Sequence, residues 1–183
     1  MGALDEYLTA LDALPPEKRE AVIEEALDGT KDMVWVPTPG PQTDAFFSEA
    51  DELLFGGEAG GGKSDLIIGL SLTEHHRSLV LRRTNKEAEK LFDRYESIIG
   101  NDDGKNAQKG WRIGDKIIDI GGCQLESDKQ KRKGIPHDLK AFDELVDFTE
   151  SQYTFIITWT RTTQPDQRCR VVATTNPPPT PEG

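Results

Sequence analysis

The stretch Gly57-Glu58-Ala59-Gly60-Gly61-Gly62-Lys63-Ser64 decides the fold. It fits G-x-x-x-x-G-K-[ST], a pattern in which glycines let the backbone curl into a nest of N–H groups aimed at phosphate oxygens, the lysine reaches the outer phosphates and the hydroxyl ligates Mg²⁺. Gly57, Gly60, Gly61 and Gly62 are therefore the expected phosphate cradle, Lys63 its cation and Ser64 a metal ligand. Such a loop belongs between a buried strand and a helix. Leu53-Leu54-Phe55 supplies the apolar run before it, and residues 64–72 place Leu66, Ile67, Leu70 and Ser71 on one helical face after it.

Downstream, Ser78-Leu79-Val80-Leu81 reads as a second buried strand. Thr84-Asn85-Lys86-Glu87 has the capping-box spacing for a helix carrying Ala88, Leu91, Phe92, Tyr95, Ile98 and Ile99, which Gly100 ends. Residues 101–110 read as a polar loop. A hairpin follows, residues 111–113 and 116–120 about Gly114-Asp115, and Gly121-Gly122 leads into a further short strand over residues 123–126. Leu139-Lys140-Ala141-Phe142 forms a strand running into Asp143-Glu144; Lys140 interrupts it, which predicts an edge position or a side chain that snorkels out of the sheet. Thr149-Glu150-Ser151-Gln152 is a second capping box, for a helix with Tyr153, Ile156 and Ile157, and residues 169–173 form the last strand. Strands alternating with helices, with the phosphate loop after the first, predict a three-layer α/β/α sandwich on a mostly parallel sheet, the P-loop NTPase arrangement.

Ahead of this lie two helical patterns, Leu4, Tyr7, Leu8, Leu11 and Leu14, then Ala21, Val22, Ala26 and Leu27 after Pro15-Pro16. They predict a helical hairpin over residues 1–30, a stiff linker over 31–44 containing Pro37-Thr38-Pro39-Gly40-Pro41, and the nucleotide-binding unit over 45–183. The net charge of -11, from 33 acidic and 22 basic residues, repels a nucleic-acid backbone, so any DNA contact is local. Lys129-Gln130-Lys131-Arg132-Lys133 is the basic cluster, as readily a solvated loop as a phosphate contact. The chain has no apolar run of bilayer length and no signal-peptide pattern at its start, which predicts a soluble protein with no membrane partner. Cys123 and Cys169 are too far apart for a C-x-x-C unit and read as two reduced thiols in a cytosolic protein.

Phosphoryl transfer needs a phosphate cradle, a metal anchor, a group that orients the attacking water and a positive charge for the transition state. Asp143-Glu144, closing an apolar strand, suits the middle two: Asp143 holds Mg²⁺ and Glu144 orients or deprotonates water. Thr174-Thr175-Asn176 lies at the carboxyl end of the last strand, the edge where ligands of parallel sheets bind, so Thr174 or Asn176 is expected at the γ-phosphate or the water. The competing reading is an ordinary turn at Asn176-Pro177. Arg82, Arg83 and Arg161 are the candidates for the positive charge.

Together these residues resemble the ATP-hydrolysing large subunit of the terminase of tailed bacteriophages, the motor that packages DNA into an empty capsid. The resemblance runs from about residue 35 to 183. Trp35-Val36-Pro37-Thr38-Pro39-Gly40-Pro41-Gln42 looks like the family's segment ahead of the phosphate loop, where a glutamine recognises adenine; that role falls on Gln42. Residues 55–64 look like its Walker A loop, Val80-Leu81-Arg82-Arg83-Thr84 like the segment after the second strand, residues 134–148 like the Walker B region, and Thr174-Thr175-Asn176-Pro177 like the coupling motif.

The resemblance implies ATP and Mg²⁺ as cofactors, with Lys63, Glu144 and Asn176 catalytic. It also implies double-stranded DNA as a partner, bound weakly by this chain alone, a small terminase subunit and a portal protein, and a homo-oligomeric ring in which a neighbour can supply the arginine. The setting it implies is the cytoplasm of the bacterial host. Glu58-Ala59 departs from the family, many members of which carry an arginine in the loop. The family's metal-dependent nuclease half, with an RNase H-like fold, has no counterpart in these residues, so no nuclease activity is expected from them. The alternatives are a nucleotide-binding terminase remnant without turnover and another P-loop NTPase, helicase-like, without packaging activity.

Overall fold

The computed structural model describes residues 3–58, 60–106 and 110–176, with side chains from residue 8 onward. The side chains of Leu4 and Tyr7 of the first apolar stripe, and Ala59, residues 107–109 of the polar loop and Pro177, fall outside what is described. The elements in chain order are α1 (Ala3–Asp12), α2 (Pro16–Thr30), α3 (Pro41–Phe47), β1 (Glu52–Gly56), α4 (Lys63–Thr73), β2 (Arg77–Arg82), α5 (Asn85–Ile99), β3 (Lys105–Asn106), β4 (Gly110–Ile113), β5 (Lys116–Gly122), β6 (Leu139–Phe142), α6 (Glu150–Ile157) and β7 (Arg170–Thr175). Short 3-10 helices occupy Glu126–Arg132 and Leu145–Asp147.

The strands form one seven-stranded sheet in the order β1-β7-β6-β2-β5-β4-β3. β1, β7, β6, β2 and β5 are parallel, and only β4 and β3 run against their neighbours. Parallel strands need crossovers, and the crossover helices bury both faces. On one face α4 and α5 pack Leu66, Ile67, Leu70, Leu91 and Tyr95 against Val80, Ile118, Ala141 and Val172. On the other, Ile156 of α6 meets Leu79, Leu81, Phe142, Val171 and Ala173. Val80 faces one cluster and its neighbours Leu79 and Leu81 the other, which is why this run is apolar throughout rather than alternating. The result is a three-layer α/β/α sandwich of the P-loop NTPase class.

Both capping boxes form. The Thr84 hydroxyl accepts from the Glu87 N–H at 3.2 Å while the Glu87 carboxylate accepts from the Thr84 N–H at 2.8 Å, and Thr149 and Gln152 exchange the same pair at 3.1 Å each. Helix α4 is buried from Leu66 to Leu72 and not on one face only. Trp35 closes its outer side: a Cβ on Gly69 would lie 2.2 Å from the indole, so only glycine admits this ring.

Four expectations are corrected. Residues 123–126 are not a strand: the Cys123 N–H makes a last bond to the Arg82 and Arg83 carbonyls where β2 ends, and the Asp128 carboxylate then accepts from the Leu125 N–H and starts the 3-10 helix. Part of the segment read as a linker is α3, begun by Pro41, with Gln42 and Ala45 buried against the body. The polar loop contains β3, paired with β4. Lys140 neither sits at an edge nor snorkels: β6 lies between β7 and β2, and Lys140 is fully buried. Its Nζ is 2.7 Å from His137 Nδ1, and His137 Nε2 is 2.9 Å from Asp119 Oδ2, so a chain of polar groups takes the place of water.

Burial, reinforced by the Arg132 charge, pushes the Lys140 ammonium down to about 7, and burial also lowers His137. Burial alone would raise Asp119, but the His137 bond and nearby cations outweigh it and hold it below the usual range. Between pH 7 and the ordinary lysine value of 10.5 the unfolded chain therefore keeps a proton on Lys140 that the folded chain has lost. Raising pH across that window stabilises the fold, and the gain is absent below it. Urea denaturation across the window is expected to show a rise of about 1–3 kcal/mol that Lys140→Met flattens. An equal rise in the variant would contradict this assignment.

Candidate functional site

β1 delivers the glycine-rich loop to the carboxyl edge of the sheet, where the Gly57 N–H still bonds the Thr175 carbonyl at 3.3 Å. Gly60 and Gly62 turn the chain with left-handed φ of 89° and 66°, conformations that side chains disfavour. Lys63, buried at the start of α4, spans the loop: its Nζ donates to the Gly57 and Glu58 carbonyls at 2.9 and 2.6 Å. The unpaired N–H groups of the first turn of α4 add positive potential beside it. Gln42 braces the loop from outside. Its Nε2 donates to the Gly62 carbonyl at 2.7 Å and its Oε1 accepts from the Thr38 N–H at 2.5 Å. A Cβ at Gly62 would lie 2.5 Å from that Nε2.

Asp143 lies beneath the loop at the end of β6, only 1% exposed. Thr174 donates to its Oδ1 at 2.6 Å, the Ser64 hydroxyl lies 3.1 and 3.0 Å from its two oxygens, and Arg82 Nε is 2.7 Å from Oδ2. Glu144 follows with φ of 62°, a left-handed conformation uncommon for a glutamate, which turns it out of the sheet. That turn is held by the Glu144 N–H donating to Thr174 at 3.2 Å and by Asn176 Nδ2 donating to Glu144 Oε1 at 2.7 Å.

These groups bound a cavity of about 330 Å³ lined by Gly60, Gly61, Gly62, Lys63, Ser64, Asp65, Glu144 and Asn176. It adjoins a space of about 490 Å³ that shares the loop and adds Thr38, Pro39, Pro41, Gln42, Phe55, Gly56 and Gly57. The first part offers N–H groups, an ammonium and a hydroxyl to a phosphate chain. The second, with two prolines and a phenylalanine, offers apolar surface to a flat ring. Ser64 and Asp143 bring a hydroxyl and a carboxylate to one point, hard oxygen donors of the kind Mg²⁺ takes.

Gln42, Gly57, Gly60, Gly61, Gly62, Lys63, Ser64, Glu144 and Asn176 all line this groove, and Asp143 supports it from below. Of the two residues expected at the phosphate or water, Asn176 faces the cavity and Thr174 does not: Thr174 is fully buried and serves Asp143. Strand alternation could have revealed this, because Thr174 shares the face of Val172, which packs toward α4. Of the arginines, Arg82 is at the site. Arg83 donates to Gln152 at 2.9 Å and the Cys123 carbonyl at 3.3 Å. Arg161 donates to the Gly134 carbonyl at 3.0 Å near the opposite, amino end of β6. In the basic cluster Lys129 pairs with Glu126 and Lys131 with Asp128. Asp65, which the sequence reading did not single out, lines the groove and pairs with Arg94 at 2.7 Å.

No family model matches the chain, and no curated protein matches it. Among solved structures it is similar to the large terminase ATPase domain of a Thermus phage, with 13% identity and a TM-score of 0.48, over 81% of this chain and 68% of that one.

Because Asp143 is withdrawn from water, each donor to it counts. Thr174→Val is expected to cost about 1.5–3 kcal/mol in chemical denaturation, the scale of a hydrogen bond to a charged group, while Thr174→Ser keeps the donor and loses less. Equal losses for the two substitutions would mean that Thr174 contributes volume and not a bond.

Proposed function

We propose that this chain is a Mg²⁺-dependent ATPase of the phage-terminase kind, a motor whose hydrolysis drives double-stranded DNA into a capsid. The observation that carries the ATPase reading is the meeting of Ser64 with Asp143, 79 residues apart in sequence, under a groove that Glu144 and Asn176 also face. The translocation reading is supported by the order of the sequence blocks around Gln42, Lys63, Arg82, Asp143 and Asn176.

In this reading the loop N–H groups and Lys63 bind the β- and γ-phosphates. Ser64 and Asp143 would hold Mg²⁺, which when bound neutralises charge on the phosphates. Glu144 orients the attacking water and takes its proton, and Asn176 fixes the Glu144 carboxylate at the distance required. Gln42 meets the adenine edge. Arg161, exposed and outside its own site, is the candidate to act in a neighbouring subunit of a ring. Double-stranded DNA, a small terminase subunit and a portal protein are the partners, in the cytoplasm of a bacterial host.

Lys63→Ala is expected to abolish ATP binding or hydrolysis. Glu144→Gln should keep binding and lower the hydrolysis rate by about 10²–10⁴, the usual contribution of a general base. Steady-state phosphate release beside nucleotide affinity separates the two, and unchanged turnover in either variant would remove its assigned role. Gln42→Ala should raise KM for ATP more than for GTP, since an amide matches the adenine edge in donor and acceptor. Equal losses for both nucleotides would leave Gln42 as a brace between Thr38 and the loop.

A further inference from the structure

Three groups hold Asp143. Thr174 binds Oδ1 at 2.6 Å, and Ser64 reaches both oxygens. The third, Arg82 at the end of β2, brings a full positive charge to Oδ2, with Nε 2.7 Å away. That Nε is buried without an aligned hydrogen-bond partner, so the contact is charge against charge and not a directed bond. A contact of this kind is exchangeable.

We propose that Arg82 is a positioning residue that competes with Mg²⁺ for Asp143. The inference rests on the reading of Ser64 and Asp143 as the metal site. Its physical basis is that two cations on one carboxylate repel, so Arg82 lowers the affinity of the site for free Mg²⁺. The negative phosphates of a nucleotide tip the balance, and the site fills with metal and nucleotide together. Arg82 thus serves metal selection through Asp143, which is separate from a role as the transition-state cation.

The test is ADP affinity measured by titration in EDTA and over a series of Mg²⁺ concentrations, on the whole chain. Arg82→Gln should leave ADP affinity in EDTA within about twofold and lower the Mg²⁺ concentration for half-maximal tightening by about tenfold, the scale of one charged contact. Arg82→Lys, which keeps the charge, should leave that midpoint within about threefold of the wild-type value. If Arg82→Gln does not fold, Arg82→Ala takes its place with the same expected shift of about tenfold. A wild-type chain whose ADP affinity ignores Mg²⁺ would overturn the metal site and the inference with it. A normal wild-type Mg²⁺ response in which loss of the Arg82 charge leaves the midpoint in place, or in which Arg82→Lys lowers it as far as Arg82→Gln does, would overturn the inference alone.

Discussion

A carboxylate withdrawn from water organises this molecule. Asp143 is 1% exposed, and an isolated buried charge is costly enough that it persists only with full compensation. Its compensation comes from Ser64 at the start of α4, Thr174 at the end of β7 and Arg82 at the end of β2. The carboxyl ends of three strands, β2, β6 and β7, and the amino end of α4 are thus tied through one side chain. The glycine-rich loop, which has little packing of its own, takes its position from this knot on one side and from Gln42 on the other.

The same short strand carries a second buried ionisable group near its other end. Lys140, three residues before Asp143, passes its contact through His137 to Asp119 on β5. β6 therefore sits mid-sheet with an ionisable chain near its amino end and the candidate site at its carboxyl end, while Leu139 and Ala141 pack toward α4 and α5. Partly satisfied networks of this kind are sensitive to proton concentration, because burial penalises each charged form. The apolar contacts of Phe142 with Phe148 and Tyr153, at ring separations of 5.2 and 5.0 Å, seal the opposite face.

What was legible in the chain was whatever rests on short-range geometry. The phosphate loop is written in eight consecutive residues because left-handed turns need glycine at particular positions, and Gly60 and Gly62 adopt them. The two capping boxes were legible because their partners are three residues apart and satisfy backbone donors whatever surrounds them. The apolar run around Val80 announced a strand covered on both faces. By contrast, the path of residues 123–126 and the helix at Pro41–Phe47 turn on contacts made by distant chain: carbonyls where β2 ends for one, the loop and α4 for the other.

The sequence by itself determined the residue types of the groove, the loop that bends around it, and the alternation of strands and helices, because each follows from local backbone preference and from the period of apolar side chains. Only the tertiary structure decided which charges meet. Lys140 looked out of place in an apolar strand until His137 and Asp119 were seen to receive it. Thr174 and Asn176, two residues apart on one strand end, took different tasks, one buried on Asp143 and the other facing the cavity on Glu144. Three arginines were equal in sequence, and sheet order together with the alternation of side chains put Arg82 and not Arg83 beside Asp143, since β2 and β6 are neighbours in space although paired positions such as Ser78 and Leu139 lie 61 apart in the chain. A charge pair is specified by distance and burial, and neither is a property of the linear chain.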